Sequence, residues 1–242
     1  MSLAQELAHG RVYRRLRVHQ SRRARARDAI AVMREKAPRS YLSLSWGKQS
    51  LIVAHMLYVL DPTVPSYFLA SSESWGLHNF ADVIAAFCAR WPLTHTIIQT
   101  DRWADAPSWQ AARVSGRGDL QAVADRDGPW DGWYGGLARE ESRTRRIALS
   151  MRSDSGHPDV YHYVDGTYRC SPLAAWELPD LAAYIDEFDL PLLAAYHRGG
   201  LAVRTTARIT GRMLTQGGAS TAGDVSAWNA LLAQFPELAI WR

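Results

Sequence analysis

Lysine is nearly missing from this chain: Lys36 and Lys48 are its two examples, and arginine supplies every other positive side chain. Cysteine is equally scarce. Cys88 and Cys170 cannot build a disulfide framework or a four-thiolate cluster, and the eight histidines include no His-x-x-x-His pair. Structural zinc and iron–sulfur chemistry are therefore expected to be absent. Long apolar runs are missing too, since stretches such as 29–33 and 190–196 fall far short of the roughly 20 residues that cross a bilayer. Arginines from Arg11 onward interrupt any leader-like stretch, so the expectation is a cytoplasmic protein with no membrane partner. What is present is ordinary globular material: 242 residues, 47% hydrophobic and 21% charged. That excludes disorder as the main state and suffices for one sizeable core.

The net charge of +4 hides an asymmetry. Residues 1 to 40 hold eleven Arg and Lys against Glu6, Asp28 and Glu35, a net of +8, which leaves −4 for the remainder. Arg22, Arg23, Arg25 and Arg27 alternate with small residues before Ile30, Val32 and Met33, the pattern of a helix with a cationic face. Such a face is either solvated or a phosphate-tracking surface for DNA or RNA.

Beyond it, short β-rich runs alternate with helical stretches, as in an α/β domain with a largely parallel sheet. Strands are expected at 40–45, 66–70 and 94–99, with helices at 49–60 and 75–90 between them. Residues 101–129 read as part helix and part cover. A short strand and turn at 133–137, a basic helix at 140–152 and a hairpin at 161–168 around Asp165-Gly166 follow, then helices at 179–188 and 224–235.

The sharpest signal is Ser43-Leu-Ser45-Trp46-Gly47-Lys48-Gln49-Ser50, where a strand turns through glycine into a helix. Unpaired N–H groups and the helix dipole there favour an anion, and Lys48 with nearby hydroxyls adds charge and donors. The common P-loop is excluded: Leu42 and Gln49 stand where it needs glycine and Ser or Thr. The plainer reading is a βα turn whose serines cap a helix.

These residues resemble a known family. Ser45-Trp-Gly47-Lys48-Gln-Ser50 is similar to the PP-loop, Ser-Gly-Gly-x-Asp-Ser, of the adenine nucleotide α-hydrolase-like superfamily, and its lysine form to the phosphoadenosine phosphosulfate (PAPS) reductase family. Gly136-Leu-Ala-Arg139-Glu-Glu141-Ser142-Arg-Thr-Arg145 is similar to Gly-Leu-Arg-x-x-Glu-Ser-x-x-Arg, and Arg169-Cys-Ser-Pro172-Leu173-Ala-Ala-Trp176 to Arg-x-x-Pro-Leu-x-x-Trp. The resemblance implies a Rossmann-like parallel sheet flanked by helices, with ATP or a related adenine nucleotide at its carboxyl end and Mg2+ accompanying it. The organisation it suggests is a basic helical segment at 1–39, a PP-loop nucleotide-binding domain at 40–204 and a helical extension at 205–242. It further implies α–β phosphate cleavage that adenylates a substrate. Ser43, Ser45, Trp46, Gly47, Gln49, Ser50 and Gly136 would border the nucleotide. Lys48 and Arg145 would neutralise phosphate, Glu141 and Ser142 would complete the second motif, and Arg139 and Arg169 would reach the same site.

Departures qualify this. Gln49 replaces the motif's aspartate, with Glu73 as a candidate substitute, and Ala138 stands where the motif has arginine, with Arg139 beside it. The sequence ends Phe235-Pro-Glu-Leu-Ala-Ile-Trp-Arg242 without the family's C-terminal cysteine. Cys170 is left as a relocated nucleophile or as inert packing. Two classes of function stay open: an adenylating PP-loop enzyme, with nucleic acid among its candidate acceptors, and a nucleotide-binding subunit that acts beside a partner protein or a second copy.

Overall fold

A computed structural model describes residues 1–70, 79–99, 118–150, 156–163 and 165–203, with Ala233 and Pro236. Nearly all of the expected helix at 224–235, Glu73 and the whole of 101–117 lie outside the described residues.

The amino-terminal segment folds as two helices, α1 (Leu3–Tyr13) and α2 (Arg17–Lys36). Ser2 and Gln5 form a capping box that starts α1. Strand β1 (Ser40–Ser43) ends two residues earlier than expected, because the chain turns at once into α3 (Lys48–Leu60). Then come β2 (Ser66–Ala70), α4 (Phe80–Arg90), β3 (His95–Gln99), α5 (Gly118–Asp127) and β4 (Gly132–Gly135). The expected basic helix is split into a 3-10 turn at Arg139–Glu141 and α6 (Arg143–Ser150). Ser142 makes the break, its hydroxyl accepting the Arg145 N–H at 3.1 Å. β5 (Val160–His162) and β6 (Tyr168–Cys170) form the expected hairpin, and α7 (Leu178–Phe188) and α8 (Ala194–Gly199) follow.

The six strands are ordered β3-β2-β1-β4-β6-β5, every neighbouring pair parallel except β5 with β6. The chain leaves β1 toward β2 on one side and β4 toward β6 on the other, so a switch point lies between β1 and β4, the usual crevice for a ligand in such sheets.

One sheet face carries Leu42, Phe68, Tyr134 and Cys170, packed with Ala29, Ile30 and Met33 of α2, the nearly all-buried α3, and Phe87 of α4. The other carries Tyr41 and Tyr67 under Val123 of α5, and Tyr161 under Leu149 of α6. Because α2 feeds β1 through a short link, it runs antiparallel to that strand and lifts its first turns to the carboxyl-end rim. There the Trp176 indole donates to the Arg22 carbonyl at 3.2 Å.

Candidate functional site

The β1–α3 turn is tightly built. Leu44 donates its N–H to the Tyr67 carbonyl at 2.9 Å, which extends β1 by one rung. Trp46 then adopts φ 56°, a left-handed conformation uncommon for a bulky residue. Its ring is buried edge-on to Phe87 and His95, with centroids 5.6 and 5.0 Å away. Gly47 starts α3 in extended geometry with no side-chain cap. The Ser50 hydroxyl donates to the Gly47 carbonyl at 3.0 Å and accepts the Ser45 N–H at 3.2 Å, while the Ser45 hydroxyl lies 3.0 Å from it. Ser50 is buried and locks the turn; Ser45 is exposed at its mouth. Ser43 is half-buried at the end of β1, and Gln49 is buried.

Lys48 is also buried. Its N–H donates to the Tyr196 hydroxyl at 3.2 Å, its ammonium donates to the Val203 carbonyl at 3.1 Å, and the same ammonium lies 5.2 Å from the Tyr196 ring centroid. Its tip therefore faces α8 and the turn after it. That turn is tethered by Glu6 of α1, whose carboxylate accepts the Leu201 N–H at 2.6 Å.

The second motif meets this turn directly. A Cβ on Gly136 would sit 2.6 Å from the Ser50 nitrogen and 2.8 Å from the Gln49 carbonyl carbon, so only glycine lets the chain leaving β4 pass the first turn of α3. Beyond it the Glu141 carboxylate accepts the Ala138 N–H at 3.0 Å and pairs with Arg145. Arg139 reaches the fully buried Asp159 at 3.2 Å, where Arg25 also binds at 2.5 and 2.6 Å. Arg169 lies farther down the sheet, its guanidinium 3.3 Å from the Tyr163 ring centroid and 2.7 Å from Asp165. Ser45, Gly47, Lys48, Ser50 and Gly136 are thus brought together. Arg139, Arg145 and Arg169 are each engaged with a carboxylate instead.

A cleft of about 660 Å³ opens above the carboxyl ends of β4 and β6, lined by Arg139, Glu140, Arg146, Ser150, Trp176 and Glu177 among others. Glu140 accepts the Leu178 N–H at 2.9 Å. Its pKa is raised, chiefly by burial, with that same N–H and the charge of Lys48 opposing the rise. Neither Glu140 nor Tyr196 carries a sequence signal; both belong to the site through chain folding alone.

The cationic face of α2 reads differently in three dimensions. Arg22 binds Asp180 at 2.6 Å and Glu177 at 2.9 Å, Arg23 binds Glu187 at 2.9 Å, and Arg25 binds Asp159. Arg22 and Arg23 tie α2 to α7, Arg25 ties it to the turn before β5, and Arg27 is exposed. The cation-rich surface lies instead at the α1–α2 elbow, where Arg15 and Arg17 are exposed beside half-buried Arg14. Cys170 is fully buried, its thiol donating to the Ala29 carbonyl at 3.6 Å, and burial raises its pKa well above the usual thiol value. Arg169 next to it does not activate it.

Among solved structures, PAPS reductase from Candida auris, in a phosphate complex, matches with a TM-score of 0.50, covering 75% of this chain and 87% of that one. The fold is that of PP-loop, PAPS reductase-like proteins. Sequence identity is 16%, so the likeness is one of architecture. The U34-tRNA thiolase NcsA from Methanococcus maripaludis, with its [4Fe-4S] cluster, also matches, at 15% identity and a TM-score of 0.45, covering 87% of this chain and 80% of that one. No protein-family model matches the sequence, and no curated protein does. In this PP-loop fold the β1–α3 turn and the cleft share the carboxyl-end rim. No described helix is long and apolar enough to cross a membrane.

Proposed function

We propose that the chain is an enzyme that binds ATP or a related adenine nucleotide at the β1–α3 turn and cleaves it between the α and β phosphates. The product is an adenylated substrate held in the neighbouring cleft. The carrying observation is the close approach of Gly136 to the first turn of α3 at the switch point, which brings two separate sequence motifs together beside a helix start, the kind of place that favours an anion. In the reaction a nucleophilic atom of the acceptor attacks the α-phosphorus. The bond to the bridging oxygen breaks, and pyrophosphate leaves with the electron pair. Ser45 and the turn's N–H groups would hold phosphate, and Lys48 would neutralise the charge that builds on the leaving group. Arg145, which pairs with Glu141, would contribute only by exchanging that carboxylate for phosphate.

Mg2+ would accompany the nucleotide, but the described donor set does not fit a protein-held ion. Gln49 stands in the carboxylate position, and the described residues include no group of three or more His, Cys, Asp or Glu able to hold a metal. No step is assigned to it. A polymeric acceptor, DNA or RNA, is supported by the arginines of the elbow, which share the rim with the cleft.

The experiment is release of AMP and pyrophosphate from ATP, with and without added tRNA or DNA. Cleavage lost in Lys48→Ala supports the assignment. Binding without cleavage under every acceptor condition favours the second reading, a nucleotide-binding partner subunit, to which the buried Gln49 already points. No binding at all refutes both.

A further inference from the structure

Lys48 is held at both ends by one side chain. The Tyr196 hydroxyl accepts the lysine's backbone N–H at 3.2 Å, and the Tyr196 ring centroid lies 5.2 Å from the ammonium of the same residue. Tyr196 is 1% exposed and lies in α8, far in sequence from the β1–α3 turn. A hydroxyl at the first N–H of a helix satisfies a donor that has no partner inside the helix. An aromatic ring beside an ammonium keeps it extended without neutralising it. Tyr196 therefore acts on both the start of α3 and the setting of the cation in its first turn, the ammonium being held in addition by the Val203 carbonyl.

We propose that Tyr196 is the positioning residue for Lys48, fixing the lysine so that its charge meets the nucleotide's phosphates. This rests on the nucleotide-binding reading above. The contact is selective in chemistry: a phosphate-bearing ligand feels the lysine, and a nucleoside does not. Loss of Tyr196 should weaken ATP and leave adenosine unaffected, whereas a purely structural role would weaken both.

The scarcity of lysine makes the geometry directly readable. Protein labelled with 13C and 15N lysine gives signals from Lys36 and Lys48 alone, and Lys36→Arg assigns them. Tyr196→Leu removes ring and hydroxyl, and the Lys48 ε-carbon and its protons move toward unstructured values. Tyr196→Phe keeps the ring and its volume, so the ε signals stay in place while the Lys48 amide loses about tenfold in protection from exchange. Lys48 signals that ignore both substitutions overturn the proposal whatever the protein binds.

In calorimetry with ATP and with adenosine, Tyr196→Leu weakens ATP about fivefold and adenosine not at all, and has no further effect in the Lys48→Ala background. Tyr196→Phe, which keeps the ring beside the ammonium, leaves ATP affinity unchanged, and Tyr196→Met, which fills the volume without an aromatic face, decides the case should the leucine variant not fold. Equal losses for ATP and adenosine, or a loss that persists without Lys48, overturn the positioning role and leave the nucleotide site standing. Wild-type protein that fails to bind ATP overturns the site and the proposal together.

Discussion

Two histidines sit where protonation would be costly. His55 shares a hydrogen bond of 2.9 Å with the Tyr184 hydroxyl and lies beside Trp91 and Phe188, and burial lowers its pKa to about 4. His95, packed on Trp46, is likewise lowered to about 4 by burial. An unfolded chain would titrate near the ordinary value of about 6.5. Between these values the unfolded state binds more protons, so this contribution to stability is complete above about pH 6.5 and is lost as the pH falls toward 4. Each residue adds a slope of up to about 1.4 kcal/mol per pH unit. Urea midpoints measured from pH 7.5 to 4.5 should fall on the acid side, and less steeply in His55→Gln. A flat profile would contradict the burial of both rings. At the turn, Trp46→Gly relieves the left-handed backbone but removes a fully buried ring, a loss worth about 3 to 5 kcal/mol against roughly 1 gained. Net destabilisation is expected in thermal melts, although glycine is the residue the resembling motif carries there.

At the level of elements, the arginines of α1 and α2 divide into two sets with opposite predicted consequences. Asp159 ties Arg25 of α2 to Arg139 of the turn after β4, and Asp180 gathers His19 and Arg22. Removing one partner of such a buried pair typically costs about 3 to 5 kcal/mol. Asp159→Ala should therefore lower stability strongly and disturb the cleft through Arg139. Arg14, Arg15 and Arg17 instead form a surface with no acidic residue in the first turn of α2. Replacing these three by glutamine should leave the urea midpoint nearly unchanged. It should also weaken binding to single-stranded and duplex oligonucleotides and lower the salt slope by about 0.9 per lost phosphate contact for a duplex. If only Arg22→Gln and Arg23→Gln lower nucleic-acid affinity, with the fold intact, the surface has been misplaced.

This division shows where the sequence was readable. Alternation of β-rich and helical runs located the strands at 66–70 and 94–99 closely, because their side chains face a sheet covered on both sides. The turn at Gly47 was readable because strand, glycine and helix follow one another in the chain. The roles of Arg22, Arg23 and Arg25 were not, since their carboxylates lie on α7 and at Asp159, more than a hundred residues away. Tyr196 and Val203 were invisible for the same reason: a carbonyl that holds an ammonium leaves no mark in residue type.

At the scale of the whole molecule, the burial of Cys170 and the raised, half-buried thiol of Cys88 set the expectation for redox chemistry. Incubated with PAPS and reduced thioredoxin, the 242-residue chain should release no sulfite, because a thiol kept protonated inside the core cannot attack sulfur. Sulfite release that disappears in Cys170→Ala would show instead that β6 opens to solvent.

The tether between Glu6 and Leu201 has a consequence for how the protein is made. Helix α1 is synthesised well before its partners: Arg11 grips Asp186, 175 residues on, and Glu6 holds a backbone N–H 195 residues away. Gly10 fits against the backbone of Ala182 and Ala183, which do not yet exist when α1 is synthesised. Contacts of such long sequence separation slow folding, because the chain must be ordered before they form. The nascent amino-terminal arm is thus synthesised into a period without its docking site, its arginines and aliphatic residues open to other surfaces until α7 emerges. Lys48 acquires its final setting only after that, when the turn at Gly200 closes over it.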